Sequence, residues 1–221
     1  MPSVVSIVGR SKVGKTTLIE RLIAVLKERG YRVATVKHDI HSFDIDQPGK
    51  DSWRHAQAGS DAVVISSPDK LAFLKKVDHD SSLEEIRWLL GDDFDIVLTE
   101  GFKKGKAPKI EVHRKAAGAE LLCSPSELVA VVTDEPLGLG VPEYPLDDVA
   151  GVADLIQRKF LARREEEEMS LLINGTPVPL NPFVKTIIAR TLLGMVSALK
   201  GVREVQALDI FLRRHQGPLK D

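Results

Sequence analysis

The feature that most constrains the fold of this chain is an eight-residue segment, residues 9–16, which reads Gly-Arg-Ser-Lys-Val-Gly-Lys-Thr. It matches the pattern G-x-x-x-x-G-K-[ST] at every fixed position. An apolar run, Ser3–Val8, precedes the segment directly, and an amphipathic pattern over residues 15–29 follows it at once. A buried strand, a glycine-rich loop and a helix in immediate succession predict a phosphate-binding loop in an α/β domain.

The fixed positions of this loop have specific chemical roles. Gly9 and Gly14 let the backbone curl, so that successive N–H groups point toward phosphate oxygens. Lys15 supplies a positive charge to the β- and γ-phosphates, and the Thr16 hydroxyl can coordinate magnesium. The amino end of the following helix directs its dipole at the same anion. We therefore expect a purine nucleoside triphosphate and Mg²⁺, bound by Gly9, Lys12, Val13, Gly14, Lys15, Thr16 and Thr17.

A magnesium site in this kind of fold also needs an acidic group at the carboxyl end of a neighbouring strand. Glu100 follows the apolar run over residues 94–99, and Gly101 lets the chain turn away behind it. We therefore predict that Glu100 shares the metal with Thr16 and acts with Lys15 as a catalytic group. Asp95 lies at the opposite end of the same run, which favours a structural cap for it.

A polar loop, residues 38–50, follows the second predicted strand. In one interpretation Asp39 or Asp44 orients magnesium or water near the γ-phosphate, while Lys37 and His38 contact phosphate or substrate. In a second, His38, a further histidine and nearby aspartates bind a transition metal, although their spacing matches no closed metal motif. The third interpretation is a plain solvated loop. We favour a switch-like substrate or partner loop, with Asp39 in a catalytic role.

Two further groups lie next to predicted strand ends. Thr133 and Asp134 end the apolar run over residues 128–134. A carboxylate there can accept from guanine N1–H and N2–H₂, which adenine does not offer. The alternative is an ordinary strand-end cap, since the N-K-x-D guanine motif is absent. Lys103 begins a basic cluster after Glu100, which is either a solvated loop or a surface that holds an anionic substrate or a partner protein.

Short apolar runs alternate with helical patterns along residues 1–162, which predicts a nucleotide-binding domain with a mostly parallel sheet flanked by helices. One run, residues 109–113, carries charged residues and is predicted to be more exposed than its neighbours. Residues 163–169 are predicted to be a charged linker or the end of a helix. Residues 170–221 are predicted to form a small α+β module.

The predicted order of elements in this C-terminal module is β-β-α-β. Asn174-Gly175 is typical of a hairpin turn. Asn181 can cap a helix that Pro182 starts, and Lys200-Gly201 would end it. Residues 205–212 would return as a strand.

The composition excludes several classes of protein. A formal net charge of −1 gives no general attraction for nucleic acid or for an anionic membrane surface. The single cysteine, Cys123, cannot form an internal disulfide. No run approaches the roughly 18–20 apolar residues of a membrane helix. Because no targeting segment is visible either, we expect a cytoplasmic protein that binds neither nucleic acid nor membrane.

Four sequence segments are more specific in combination than the phosphate loop is alone. They are GRSKVGKTTL at residues 9–18, VATVKHDIHSFDID at 33–46, GKDSWRHAQAGSDAV at 49–63 and FDIVLTEGFKKGKAPKIEVHR at 94–114. Together they resemble the molybdopterin-guanine dinucleotide biosynthesis adaptor family, MobB. The resemblance covers about residues 1–162 and leaves the C-terminal module without an assigned role.

The resemblance implies a P-loop GTPase-like fold, a homodimer and weak GTP hydrolysis. It also implies partnership with the guanylyltransferase that attaches GMP to the molybdenum cofactor, and the molybdopterin cofactor and a molybdoenzyme are further candidate partners. The resemblance assigns no role to the C-terminal module, for which docking of the cofactor or of a partner enzyme is one hypothesis. The residues themselves leave other functions open: a P-loop small-molecule kinase, another magnesium-dependent NTPase, or a structural adaptor that binds nucleotide without hydrolysing it.

Overall fold

The computed structural model of the chain describes residues 2–38, 45–118, 120–162, 169, 171–174, 176–202, 205, 208–210 and 212. The chain divides into two compact units, Met1–Arg164 and Glu165–Asp221. The predicted loop residues Asp39 and Asp44 lie outside the described residues, as does most of the charged run predicted at 163–169.

The first unit is built on a parallel sheet with a separate hairpin. Its strands are β1 Ser3–Val8, β2 Val33–Lys37, β3 Ala62–Ser66, β4 Leu71–Lys75, β5 Ile96–Glu100, β6 Lys109–Val112, β7 Leu128–Thr133 and β8 Glu143–Pro145. Six of them pair in the order β2-β5-β1-β6-β7-β8, and every pairing in this sheet is parallel. Within the described residues, β3 and β4 form a separate two-stranded antiparallel sheet. The predicted, mostly parallel sheet is confirmed.

Helices cover both faces of the sheet. They are α1 Lys15–Glu28, α2 Asp51–Gln57, α3 Leu83–Leu90 and α4 Val149–Ile156, which continues as a π-helical turn, Gln157–Leu161. α1 buries Leu18, Ile19, Leu22 and Leu26, which recur at helical spacing along one side. Burial of each such side chain stabilises the fold by about 1.5–3 kcal/mol before entropy is counted.

The two faces of the sheet have separate apolar cores. On one face, α1 and α4 pack with inward-facing residues such as Ile7, Leu98 and Val132. On the other face, Leu83 of α3 packs with Val97 and neighbouring residues. With both faces covered, the open part of the sheet is its edge at the carboxyl ends of the strands. In open parallel sheets ligands bind at that edge.

The prediction that residues 109–113 form a more exposed strand is wrong. β6 lies between β1 and β7 in the middle of the sheet, and Lys109 and Glu111 are 3% and 2% exposed. The charges are tolerated there because each has a partner. Lys109 Nζ lies 3.2 Å from Glu127 Oε1, and the Glu111 carboxylate accepts the backbone N–H groups of Leu122 at 2.6 Å and Cys123 at 3.0 Å.

The second unit contains a hairpin and a helix. The hairpin pairs β9 Leu171–Ile173 with β10 Thr176–Val178, and α5 spans Pro182–Ser197. As predicted, Asn174 takes a positive φ of 53° at the turn, and the Asn181 side chain accepts the Val184 N–H at 2.9 Å to cap the helix. α5 ends three residues before the predicted stop at Lys200.

The strand predicted over residues 205–212 is not formed by the described part of that range. Residues 205, 208–210 and 212 lie outside any strand, and the sheet formed by β9 and β10 has no third strand among the described residues. A strand needs backbone partners on a neighbouring strand, and an apolar pattern alone does not provide them.

None of the helices in the described parts of the chain has both the length and the apolar character that a membrane span requires.

Candidate nucleotide-binding site

The loop between β1 and α1 has the backbone conformation that its glycines permit. Gly9 has φ 143°, Lys12 63° and Gly14 103°, all in the region that L side chains rarely adopt. A side chain at Gly9 would also collide with the backbone carbonyl of Val112 on β6. Gly14 precedes α1 at the N-cap position, where no side chain caps the helix, and the first turn of α1 has no acidic residue. The orphan N–H groups of that turn are therefore suited to an anion.

Lys15 lies across this loop. Its Nζ donates to the Arg10 carbonyl at 2.8 Å, from the first helical turn back to the start of the loop. The ammonium group is therefore held next to the loop amides. A phosphate bound to those amides would meet the positive charge that the motif predicts.

Thr16 and Glu100 meet at the carboxyl edge of the sheet. The Thr16 hydroxyl donates to Glu100 Oε2 at 3.0 Å, although the two residues are 84 positions apart. The contact forms because β1 and β5 are parallel neighbours, with Ile7 in register with Glu100. A hydroxyl and a carboxylate side by side are the hard oxygen donors that Mg²⁺ prefers, so these residues fit the predicted metal.

His38 lies beside this pair and contacts the end of β5, the turn after it and the loop before α3. Its backbone N–H donates to the Glu100 carbonyl at 3.0 Å, and its ring lies 4.5 Å from the Phe102 ring. Its Nε2 lies 3.0 and 3.1 Å from the two carboxylate oxygens of Asp80. A side chain at Gly101 would press on the His38 Cβ at 3.2 Å, so the glycine permits this close approach.

Other predicted site residues surround the same edge. Lys37 is in register with Glu100 and, like Lys103 beyond it, is exposed. Among the residues that the structure describes, no group of three or more His, Cys, Asp or Glu side chains could hold a metal ion. The second histidine of the transition-metal interpretation, His41, lies outside them.

Thr133 ends β7 and Asp134 follows it. β6 lies between β7 and β1, the strand that leads into the phosphate loop. The Thr133 hydroxyl donates to the Glu135 carbonyl at 3.0 Å. Asp134 Oδ1 accepts the Lys115 N–H at 2.8 Å, at the start of a short 3₁₀ turn, Lys115–Ala117. These contacts support the alternative of a strand-end cap. Recognition of guanine by Asp134 stays a prediction.

Arg114 is a site residue that the sequence did not single out. It follows β6, and its Nε donates to the Val13 carbonyl in the phosphate loop at 2.8 Å. A depression of about 260 Å³ opens beside it, between the start of α1 and the ends of β6, β7 and β8. The one available signal was position, since Arg114 comes two residues after β6, at the carboxyl edge of the sheet where Glu100 also lies.

Comparisons with known proteins find relatives over the part of the chain that contains this site. The family model described as "Molybdopterin guanine dinucleotide synthesis protein B", MobB, matches residues 4–134. The molybdopterin-guanine dinucleotide biosynthesis adapter protein of Escherichia coli (strain K12) is 35% identical over 152 residues, which cover 66% of this chain and 86% of that protein. A crystal structure of molybdopterin-guanine biosynthesis protein B superposes with a TM-score of 0.56 and 36% identity, over 70% of this chain and 98% of that one.

One relative extends the similarity beyond the first unit. The putative molybdopterin-guanine dinucleotide biosynthesis adapter protein of Methanocaldococcus jannaschii is 26% identical over 239 residues, covering 94% of this chain and 96% of that protein. An alignment of that extent includes the second unit, so a relative of similar architecture carries a corresponding segment.

Proposed function

This chain belongs to the molybdopterin-guanine dinucleotide synthesis protein B (MobB) family, and we propose that it is a GTP-binding adapter in the biosynthesis of that dinucleotide. The observation that carries the nucleotide part of the proposal is the 3.0 Å contact between Thr16 and Glu100. It joins the last residue of the phosphate-loop motif to an acid on the adjacent strand. The adapter role rests on the names of the relatives.

The residues of the loop have separate tasks in this proposal. The amides after Gly9 and the ammonium of Lys15 bind the β- and γ-phosphates, while Thr16 and Glu100 hold the magnesium ion. Bound magnesium neutralises charge on the β- and γ-phosphate oxygens. His38, fixed through its contacts with Asp80 and Phe102, keeps the backbone behind Glu100 in place.

Hydrolysis by the chain alone should be slow. Fast GTP hydrolysis needs an arginine or glutamine directed at the transition state. Arg10 Nη2 donates to the Glu120 carbonyl at 3.4 Å, and Arg114 Nε donates to the Val13 carbonyl, so both guanidinium groups are held on the β6 side of the loop and not on the side of Glu100. A partner protein would have to complete the site. We propose the guanylyltransferase of the molybdenum cofactor as that partner.

The assembly that we propose is a homodimer formed through the β3–β4 hairpin. Val64 and Phe73 lie directly opposite each other on one face and are 56% and 47% exposed, and Leu71 on the same face is 67% exposed. Contiguous apolar exposure of this kind marks an interaction surface, and two-stranded hairpins are marginally stable alone. A second copy supplies a matching apolar face about a two-fold axis.

Equilibrium titration with GTP and with ATP, each with and without magnesium, tests the nucleotide proposal. We expect GTP to bind more tightly than ATP, and magnesium to strengthen binding. Lys15→Ala should weaken GTP binding roughly 10- to 100-fold, because a charged hydrogen bond to phosphate is lost. Lys27→Ala, at the far end of the same helix, is the matched control and should bind as the wild type does.

Two results would contradict the proposal. A clear preference for ATP would exclude the guanine assignment. Equal GTP affinity in the Lys15→Ala variant and the wild type would exclude the loop as the phosphate site.

A further inference from the structure

The depression beside Arg114 lies on the side of the phosphate loop away from Glu100. β1 has β5 on one side and β6 on the other, and Glu100 ends β5. The walls of the depression come instead from β6 and β7, through Val112 and Val132, and from Leu146 after β8. Its floor is formed by the end of the loop and the first turns of α1, including Val13 and Thr17.

Arg114 is fixed at the rim of this depression through Nε, which leaves its two terminal nitrogens as further donors. Its Nε is engaged by the Val13 carbonyl at 2.8 Å. Its Nη2 lies 3.7 Å from the position that a Cβ on Gly14 would occupy, so the guanidinium group covers the amino end of α1. Within the described part of the chain, no group accepts a hydrogen bond from its two terminal nitrogens.

A bound triphosphate has one direction available to its nucleoside. The Thr16–Glu100 pair lies on the β5 side of the loop, where the metal and the terminal phosphates belong. The other end of the ligand therefore leaves the loop on the β6 side. The depression that opens there has a volume of about 260 Å³, and its lining combines apolar side chains such as Val112 and Val132 with polar ones such as Arg21. That volume is smaller than the roughly 300–1,000 Å³ of pockets for whole drug-sized ligands, which suits a single ring system.

We infer that this depression receives the base of the nucleotide and that the guanidinium group of Arg114 stacks on the ring as a base-binding contact. Guanidinium planes stack on bases, and stacking of this kind contributes on the order of a tenfold change in affinity or more. The inference rests on the proposed nucleotide binding. It also moves base recognition away from the strand end at Thr133 and Asp134, since neither residue is among the described residues that line the depression.

The test compares ligands that share phosphates but differ in the base. The probes are GTP and inorganic tripolyphosphate, each with magnesium, titrated against wild type, Arg114→Ala and Arg114→Lys. We expect Arg114→Ala to weaken GTP binding about tenfold, equivalent to about 1.4 kcal/mol, while tripolyphosphate affinity changes less than twofold. Arg114→Lys should resemble Arg114→Ala, because an ammonium group keeps the charge but has no plane to stack.

A second variant tests the depression without touching the loop contact. Leu146→Trp narrows the opening and should weaken GTP binding while leaving tripolyphosphate binding unchanged. Thermal unfolding of each variant establishes that it is folded. Leu89→Trp, at an exposed position on α3, is the control for an added indole.

The outcomes separate this inference from the proposal on which it rests. Equal losses for GTP and tripolyphosphate in Arg114→Ala would mean that the arginine only orders the loop, and would overturn the inference. Unchanged GTP binding in both Arg114→Ala and Leu146→Trp would also overturn it. Wild-type chain that binds neither probe would instead refute nucleotide binding itself.

Discussion

At the scale of a single residue, Glu100 connects the phosphate loop to two neighbouring strands. Its carboxylate accepts the Thr16 hydroxyl, its carbonyl accepts the His38 N–H, and its strand pairs with both β1 and β2. In the proposed function the side chain holds the metal, while the backbone holds the neighbouring loop. A substitution that keeps the shape and removes the charge separates these two roles.

We predict that Glu100→Gln specifically removes the effect of magnesium on GTP binding. The carboxamide oxygen still accepts from Thr16, but a neutral ligand holds a divalent cation less well, so magnesium affinity should fall roughly 10- to 100-fold. Titration of GTP at several magnesium concentrations measures this. Glu84→Gln, on an exposed turn of α3, is the control. A Glu100→Gln chain with full magnesium dependence would rule out Glu100 as the metal partner.

The pairing of Thr16 with Glu100 was predictable, while two other contacts of the site were not. Parallel strands bring their carboxyl ends to one edge, so a motif on one strand identifies an acid on another. The contacts Arg114–Val13 and His38–Asp80 span 101 and 42 residues and depend on loop paths after the strands. No local periodicity encodes those paths, and the residue types alone favour solvated loops.

At the scale of a structural element, the amino end of α3 is stabilised by a cap that includes the charged side chain of Glu85. Ser82 and Glu85 form a reciprocal capping box, with the Ser82 N–H donating to Glu85 at 2.7 Å and the Glu85 N–H to Ser82 at 3.2 Å. These bonds, together with His79, lower the pKa of Glu85 to about 2. Hydrogen bonds to Asp78 and then Glu85 raise the pKa of His79.

This cap predicts a pH window for folding stability. Glu85 has a lowered pKa, so its contribution is present above about pH 4.5 and is lost as the pH falls toward 2. His79 has a raised pKa, so its contribution is present below about pH 6.5 and is lost as the pH rises through the folded value. Both contribute fully between these limits.

We expect His79→Ala to lower the melting temperature by about 1–2 °C between pH 5 and 6, and by less at pH 8. The small size follows from solvent exposure of the pair. Circular dichroism melts across this range measure the difference, with His55→Ala on α2 as the control. A loss of stability that is the same at pH 5.5 and pH 8 would show that the imidazole charge has no role.

The sequence predicted whether a segment forms a helix, a strand or a turn better than it predicted how deeply that segment is buried. The capping box, the phosphate-loop helix and the hairpin turn at Asn174 are local signals, and the structure has them in place. The burial of β6 was missed because Lys109 and Glu111 look like surface residues in the sequence. Their partners, Glu127 and the amides of Leu122 and Cys123, lie on a loop and turn that no strand pattern reveals.

At the scale of the whole molecule, the β3–β4 hairpin determines the proposed assembly. Phe73→Lys should weaken self-association roughly 30-fold or more, because each substitution places a charge in the apolar contact twice across a two-fold axis. Sedimentation at several concentrations measures the dimer fraction. Leu89→Lys, another exposed apolar position, should leave it unchanged. A wild-type chain that stays monomeric at all concentrations would contradict the homodimer.

The strand order of the sheet also sets when this site can first exist during synthesis. β1 leaves the ribosome first, but its neighbours in the sheet are β5 at Ile96–Glu100 and β6 at Lys109–Val112. At roughly 5–20 residues per second, those partners follow only after about 5–20 seconds. For that time this apolar strand, which is buried in the folded protein, has neither neighbour. Chaperones that recognise extended apolar segments therefore have a defined interval in which to act on it.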